Sequence, residues 1–267
     1  MSDAPDAPDA PADFERPTWG RVDPAELNRI VVLSPHFDDA AQGAGLMLLC
    51  HRQSSPTVIT VMGGPPASYP DPVTDWDALG GFKAGEDFVA LRREEDRAAM
   101  RELGSDFVWL DFVDHQYLAP EDRAPAARVA DVLEATILDR TPTAVFAPLG
   151  LANPDHVLTH EAAMIVRERQ PGLAWFCYED HGYKHLPGLL AHRVGGMLKA
   201  GNWPTPAIVP VSTDVETKRR AMWCYTSQIP PLEQDHNLSE RMAANVAEQF
   251  WRIAPAPRGW EALPDFM

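Results

Sequence analysis

The stretch Val31-Val32-Leu33-Ser34-Pro35-His36-Phe37-Asp38-Asp39 constrains this chain more than any other. A continuous apolar run of this kind reads as a strand covered on both faces, as in parallel sheets. The run then ends in a histidine and two adjacent carboxylates. Ligands of open α/β sheets bind just past the carboxyl ends of the strands, so His36, Asp38 and Asp39 are expected where such a fold does its chemistry. Imidazole with carboxylate suits a borderline divalent ion such as zinc, and the second carboxylate is left free to handle a proton. The plainer readings are a magnesium site for phosphoryl transfer, or an acidic pair that caps the next helix.

The rest of the chain alternates helical and strand-like patterns. Helices are expected over 41–50, 88–103, 126–138 and 157–169, and strands over 57–62, 107–112, 144–147 and 173–178. Gly104 closes the second helix as a C-cap. This alternation predicts an α/β fold with a doubly wound, mostly parallel sheet between two helical layers. Residues 1–20 repeat Asp, Ala and Pro without apolar periodicity and read as a disordered tail, with order starting near Ile30. Residues 21–267 then form a single domain. The Pro-, Gly- and Asp-rich stretch 65–88 reads as a long loop of the kind that often closes over sites. Its Tyr69, Trp76 and Phe82 either stack on a substrate or pin the loop.

Charge narrows the partners. A formal net charge of −16 argues against nucleic acid and anionic membranes. No apolar run reaches the roughly 18 residues of a membrane span, and the N-terminus lacks a signal pattern. The three cysteines, Cys50, Cys177 and Cys224, form no CxxC pair and read as reduced, buried thiols of a cytoplasmic protein.

A catalytic zinc takes three protein ligands and keeps one position open. With His36 and Asp39 as two, the third belongs at another strand end. His156 is the best candidate, opening a helix after the loop that begins at Pro148-Leu149-Gly150. His160 lies on the same helical face four residues on and is a possible partner.

At this point the residues resemble a known family. Pro35-His36-Phe37-Asp38-Asp39-Ala40 is similar to the (A/S)-P-H-x-D-D signature of the LmbE/PIG-L deacetylases. Pro148-Leu149-Gly150 through Asp155-His156 resembles that family's later P-L-G…D-H element. Between them, Leu91 to Arg97 with Leu103-Gly104 is similar to its R-R-x-E helix, and Trp109 to Asp114 to the strand end that follows. Tyr178-Glu179-Asp180, Lys218 and Tyr225-Thr226-Ser227-Gln228 resemble C-terminal elements of one branch. The likeness spans about residues 30–230.

The resemblance implies a Rossmann-like, three-layer α/β/α metalloenzyme that removes N-acyl groups, usually acetyl, from amino sugars or related small metabolites. By position, His36, Asp39 and His156 would hold zinc, with ferrous iron as the other fitting ion, and Asp38 would be the general base. Arg92 and Asp114 would fall where the family binds substrate hydroxyls. The chemistry agrees with this division. Zinc polarises a poorly electrophilic amide and makes water a better nucleophile. Asp38 takes the proton and passes it to the departing amine.

One position departs from the pattern. The family commonly has a histidine three residues before the metal-binding one, and here that residue is Asn153. An asparagine amide donates to an oxyanion but cannot shuttle a proton. Either Asn153 takes the electrostatic half of that role, or a group such as His181 or His115 stands at the substrate instead. Two other readings compete with a zinc deacetylase. One is a family member that binds its ligand without hydrolysis. The other is a magnesium phosphoryl-transfer enzyme, which leaves His36 and His156 without a role and lacks a phosphate loop. The substrate's identity and the oligomeric state stay open.

Overall fold

Inside the sheet, next to its central strand, runs β1 (Ile30–Ser34), five residues that are all buried. The computed structural model describes residues 20–244 and 247–254. After β1 the chain forms α1 (Asp39–Cys50), β2 (Thr57–Thr60), α2 (Asp75–Leu79), α3 (Phe88–Leu103) and β3 (Asp106–Trp109). It continues through α4 (Ala126–Asp139), β4 (Ala144–Pro148), α5 (Pro154–Arg169) and β5 (Ala174–Tyr178). The remainder is α6 (Leu189–Lys199), β6 (Trp203–Ala207), α7 (Val215–Met222), α8 (Ile229–His236), α9 (Leu238–Ala244) and β7 (Phe250–Ala254).

Among the described residues, seven strands are ordered β3-β2-β1-β4-β5-β7-β6. The first five run parallel, while β7 pairs antiparallel with both β5 and β6. The chain builds outward from β1 to β3, then returns to the other side of β1 for β4 and β5. The winding therefore reverses between β1 and β4, where the crevice of an open α/β sheet lies.

Alternation along the strands makes two cores. Val32, Val58, Phe146 and Phe176 point to the layer that holds α1, α3 and α7 to α9. Val31, Leu33, Ile59, Val145 and Trp175 point to the layer of α4, α5 and α6. The expected doubly wound α/β/α arrangement is the one found.

Several boundaries differ from the sequence reading. Order begins before Ile30, because Pro24–Leu27 form a 3-10 turn that buries Leu27 and Arg21 bridges to Ile208 beside β6. Apart from Gly20, the expected tail over 1–20 lies outside the described residues, as do 255–267 at the other end. The stretch 65–88 is not wholly loop, since α2 lies inside it. Cys50 is exposed and Cys224 half-buried, leaving only Cys177 buried as expected.

The C-terminal part braces α1. Gly43 sits so close to Tyr178 that a Cβ there would come within 2.4 Å of its ring. Lys218, 1% exposed, donates from Nζ to the Gln42 carbonyl at 2.8 Å and to Glu248 at 2.6 Å. Glu248 in turn accepts from the backbone N–H groups of Leu46 and Met47. The helix that starts at Asp39 is thus clamped by a buried, hydrogen-bonded ion pair, the kind whose half-removal costs about 3–5 kcal/mol.

Candidate metal centre and active site

A tight turn after β1 aims the acidic pair. Ser34 Oγ donates to the His36 carbonyl and accepts from the Ala40 N–H. The His36 N–H donates to Asp39 Oδ2 at 2.8 Å. Off the extended strand, neighbouring side chains are released from opposite-face alternation, and His36, Asp38 and Asp39 line one cavity. From the next strand, Pro148-Leu149-Gly150 turns into α5. Gly150 has φ +77°, and a Cβ there would lie 2.7 Å from that of His160, so only glycine fits comfortably. Asn153 caps α5 with Oδ1 2.8 Å from the Asp155 N–H, which places His156 in the first helical turn.

His36, Asp39 and His156 converge. Asp39 Oδ2 stands 3.2 Å from His36 Nδ1 and 3.2 Å from His156 Nε2. One ligand atom from each of the three falls within a 4.8 Å span. Tetrahedral zinc with bonds of about 2.0–2.2 Å separates its ligands by about 3.3–3.6 Å, so these spacings fit such an ion. Each imidazole also has a carboxylate on its other edge. His36 Nε2 is 3.0 Å from Asp155 Oδ2, and His156 Nδ1 is 2.5 Å from Asp180 Oδ1. A carboxylate behind a histidine fixes the tautomer and orients the free lone pair, the usual environment of a metal ligand.

Asp38 points into the same cavity and accepts from Gln42 Nε2 at 2.8 Å. Burial first, then the Asp39 charge, pushes its carboxyl up to about 7. Burial opposes the ionised form of Asp39 as well, but His156 and His36 outweigh it and hold that carboxyl well below the usual range. Neighbouring carboxylates driven apart in this way divide into a fixed anion and a proton carrier.

Residues 31–166, about half the chain, match the PIG-L family, described as GlcNAc-PI de-N-acetylase. The chain belongs to the PIG-L family.

Solved structures of deacetylases share the fold. The A40926 pseudoaglycone deacetylase Dbv21 is 25% identical with a TM-score of 0.68, covering 86% of this chain and 98% of its own. A triple mutant of a deacetylase from the teicoplanin biosynthetic pathway is 24% identical with a TM-score of 0.70, covering 86% and 100%. The N,N'-diacetylchitobiose deacetylase of Pyrococcus horikoshii is 19% identical with a TM-score of 0.54, covering 90% and 87%. Among curated protein sequences, none matches this chain. Among the described residues, no helix is long and apolar enough to cross a membrane.

In this PIG-L chain the cavity holds about 410 Å³, within the range of small-molecule sites. His36, Asp38, Asp39 and His156 line it together with Trp76, Arg92, Asp114, His115, Tyr117, Asn153 and Tyr183. The Arg92 guanidinium is already engaged, with Nη2 2.5 Å from Asp77 and Nη1 donating to the Tyr117 hydroxyl at 2.9 Å. Its buried Nε has no hydrogen-bond partner among the described residues. Asp114 accepts from the Gln116 backbone and side chain and reaches within 3.8 Å of His36 Nε2. Asn153 Nδ2 lies 3.4 Å from the Tyr183 hydroxyl.

The other histidines separate. His115 lines the cavity, with Nδ1 2.9 Å from Asp155, and hydrogen bonds to Asp114 and Asp155 push it up to about 9. His181 is buried outside the cavity wall, and its Nε2 has no hydrogen-bond partner among the described residues. Burial, then the Lys218 and Lys184 charges, pushes it down to about 3. His160 does not join His156 in the candidate metal centre. Its Nδ1 lies 3.0 Å from the Pro148 carbonyl, and burial pushes it down to about 4.

Not all the charges of α3 face solvent. The Arg97–Glu94 pair is at the surface, but Glu95 accepts from Thr226 and Ser227, and buried Asp96 accepts from Trp109 and Tyr225. The helix thus holds the Tyr225-Thr226-Ser227-Gln228 segment against the site. In the loop, Tyr69 and Phe82 pin themselves on Phe88, while Trp76 faces the cavity and donates to Gln228. Sequence reasoning missed Asp180, Gln42, Tyr183 and Tyr117 as site neighbours. Gln42 had a signal, four residues past Asp38 on one helical face. Asp180 had another, at the carboxyl end of the strand beside β4.

Proposed function

We propose that this chain is a metal-dependent N-deacetylase that removes an N-acyl group, most simply acetyl, from an amino sugar or a related small metabolite. The observation that carries the proposal is the convergence of His36, Asp39 and His156 beside Asp38, in a cavity at the carboxyl ends of β1 and β4. The three donors suit zinc, and ferrous iron fits the same set. When bound there, the ion supplies Lewis acidity to the amide carbonyl and to a water molecule.

The chain's own groups do the rest. Asp38 takes a proton from the attacking water and returns it to the nitrogen as the C–N bond breaks, leaving a free amine and a carboxylate. Burial raises this carboxyl above the usual carboxylate range, the direction that suits a proton carrier. Gln42 holds one Asp38 oxygen, which leaves the other free for the proton. Asn153 presents its amide Nδ2 on the cavity wall and is assigned the role of donor to the developing oxyanion. Because an amide moves no proton, both transfers fall to Asp38. Asp114 is assigned to substrate hydroxyls, with Trp76 and Tyr117 as apolar walls against a sugar face and Arg92, held by Asp77 and Tyr117, bracing that wall. The position of His181 outside the cavity wall gives it no part in this scheme.

The relative Dbv21 is by name a pseudoaglycone deacetylase, so bulky acylated scaffolds belong in the assay beside simple sugars. Release of amine and carboxylate in equal amounts is expected from at least one class among N-acetylhexosamines, their glycosides and N-acylated glycopeptides. Absence of release from all three by the zinc-loaded chain contradicts the proposal.

A further inference from the structure

The His36 ring has a second edge, and a second set of donors gathers there. Its Nε2 lies 3.0 Å from Asp155 Oδ2 and 3.8 Å from Asp114 Oδ2. His115 Nδ1 lies 2.9 Å from the same Asp155 oxygen and 3.3 Å from Asp114 Oδ1. One ligand atom from each of these four residues falls within a 4.8 Å span. The distances bracket the roughly 3.3–3.6 Å edges of a tetrahedral zinc site.

We propose that Asp114, His115 and Asp155, with His36 Nε2 beside them, form a second divalent-cation site whose occupation by zinc shuts the cavity off. Two carboxylates and two imidazoles are a donor set for zinc rather than for magnesium or calcium, which favour all-oxygen shells. The proposal rests on the first centre only in assigning His36 Nδ1 to it.

The second site is the weaker of the two. A neutral imidazole has one free lone pair, so His36 serves a second ion only after losing its ring proton. Asp114, His115 and Asp155 therefore form its core. Two dications on opposite edges of one ring also repel each other. Occupation inhibits for two reasons. Asp155 turns to the ion and no longer braces His36. The ion also stands against Asp114 and His115, which form part of the cavity wall, and so takes space meant for substrate.

Titration of the metal-stripped full chain with zinc, in competition with a chromophoric chelator, tests this. Wild type is expected to take two equivalents, the second at least tenfold weaker. His115→Gln keeps the tight equivalent and loses the weak one, whereas His156→Gln loses the tight one. Excess zinc slows hydrolysis by wild type as the weak equivalent fills, and no such loss is expected in His115→Gln, whatever its basal rate. Circular dichroism verifies each fold, and Asp114→Asn replaces His115→Gln if the latter does not fold. One equivalent in wild type, or a second equivalent that survives both His115→Gln and Asp114→Asn, overturns the site. Loss of the tight equivalent from wild type instead indicts the first centre, so the two failures are distinguishable.

Discussion

The Asp180 carboxylate stands 2.5 Å from Nδ1 of His156, on the ring edge away from Asp39. It keeps the proton on Nδ1 and directs the Nε2 lone pair at the point where Asp39 and His36 meet. Asp180 also accepts from the Leu151 N–H at 3.2 Å, so β5 and the turn after β4 are tied together behind the ligand. Asp180→Asn is expected to fold and to bind zinc about 10- to 100-fold more weakly. Competition against a chelator measures this, and an unchanged affinity removes Asp180 from the account.

Asp38→Asn keeps the side chain's size and removes its capacity to take a proton. Hydrolysis is expected to fall by about 10²–10⁴-fold while metal content stays at the wild-type level. Near-normal turnover in a metal-loaded Asp38→Asn protein places the base elsewhere.

Asn153 has two separable duties. Its Oδ1 caps α5, and its Nδ2 faces the cavity beside Tyr183. Asn153→Asp retains the cap acceptor and loses the donor, so its thermal midpoint is expected to stay near wild type while kcat falls about 10²-fold. Asn153→Ala loses both and is expected to lose about 1 kcal/mol of stability as well. A full kcat in Asn153→Asp ends the oxyanion role.

His160 gives a pH signature unrelated to catalysis. Its folded value is depressed to about 4, below the usual 6.5 of the unfolded chain. The fold therefore favours the neutral ring, whose Nδ1–H donates to Pro148. That stability is full above pH 6.5 and is lost as pH falls toward 4, where the unfolded chain takes up a proton that the fold excludes. Denaturant titrations from pH 7 to 4 are expected to show this decline, reduced by one proton's slope in His160→Leu. Identical slopes in the two proteins contradict the assignment.

Much of the fold was legible because buried parallel strands announce themselves as apolar runs, and α3 with its Gly104 cap matched its expected bounds. The region after Tyr178 was not, because β6 is an edge strand of Trp, Pro and Thr whose pairing depends on β7 about fifty residues later. Among site residues, His36, Asp38 and Asp39 stood out because they lie just past an apolar strand, and His156 because it opens the helix after the strand-loop at Pro148-Leu149-Gly150. Asp180 and His115 did not stand out as partners. Their importance comes from contacts 24 and 40 residues away in sequence, with His156 and Asp155. Arg92 shows the opposite difficulty, since nothing local in α3 tells that Asp77, fifteen residues earlier, takes its guanidinium.

The central claim is that a metal held by His36, Asp39 and His156 drives amide hydrolysis. Its most direct measurement is the rate of carboxylate release from an N-acetylated amino sugar derivative by the native, chelator-stripped and zinc-reconstituted chain. Release by the native chain is expected, with loss on stripping, recovery on adding back one equivalent per chain, and no recovery in His156→Gln. Release that persists in the stripped chain, or that recovers fully in His156→Gln, contradicts it.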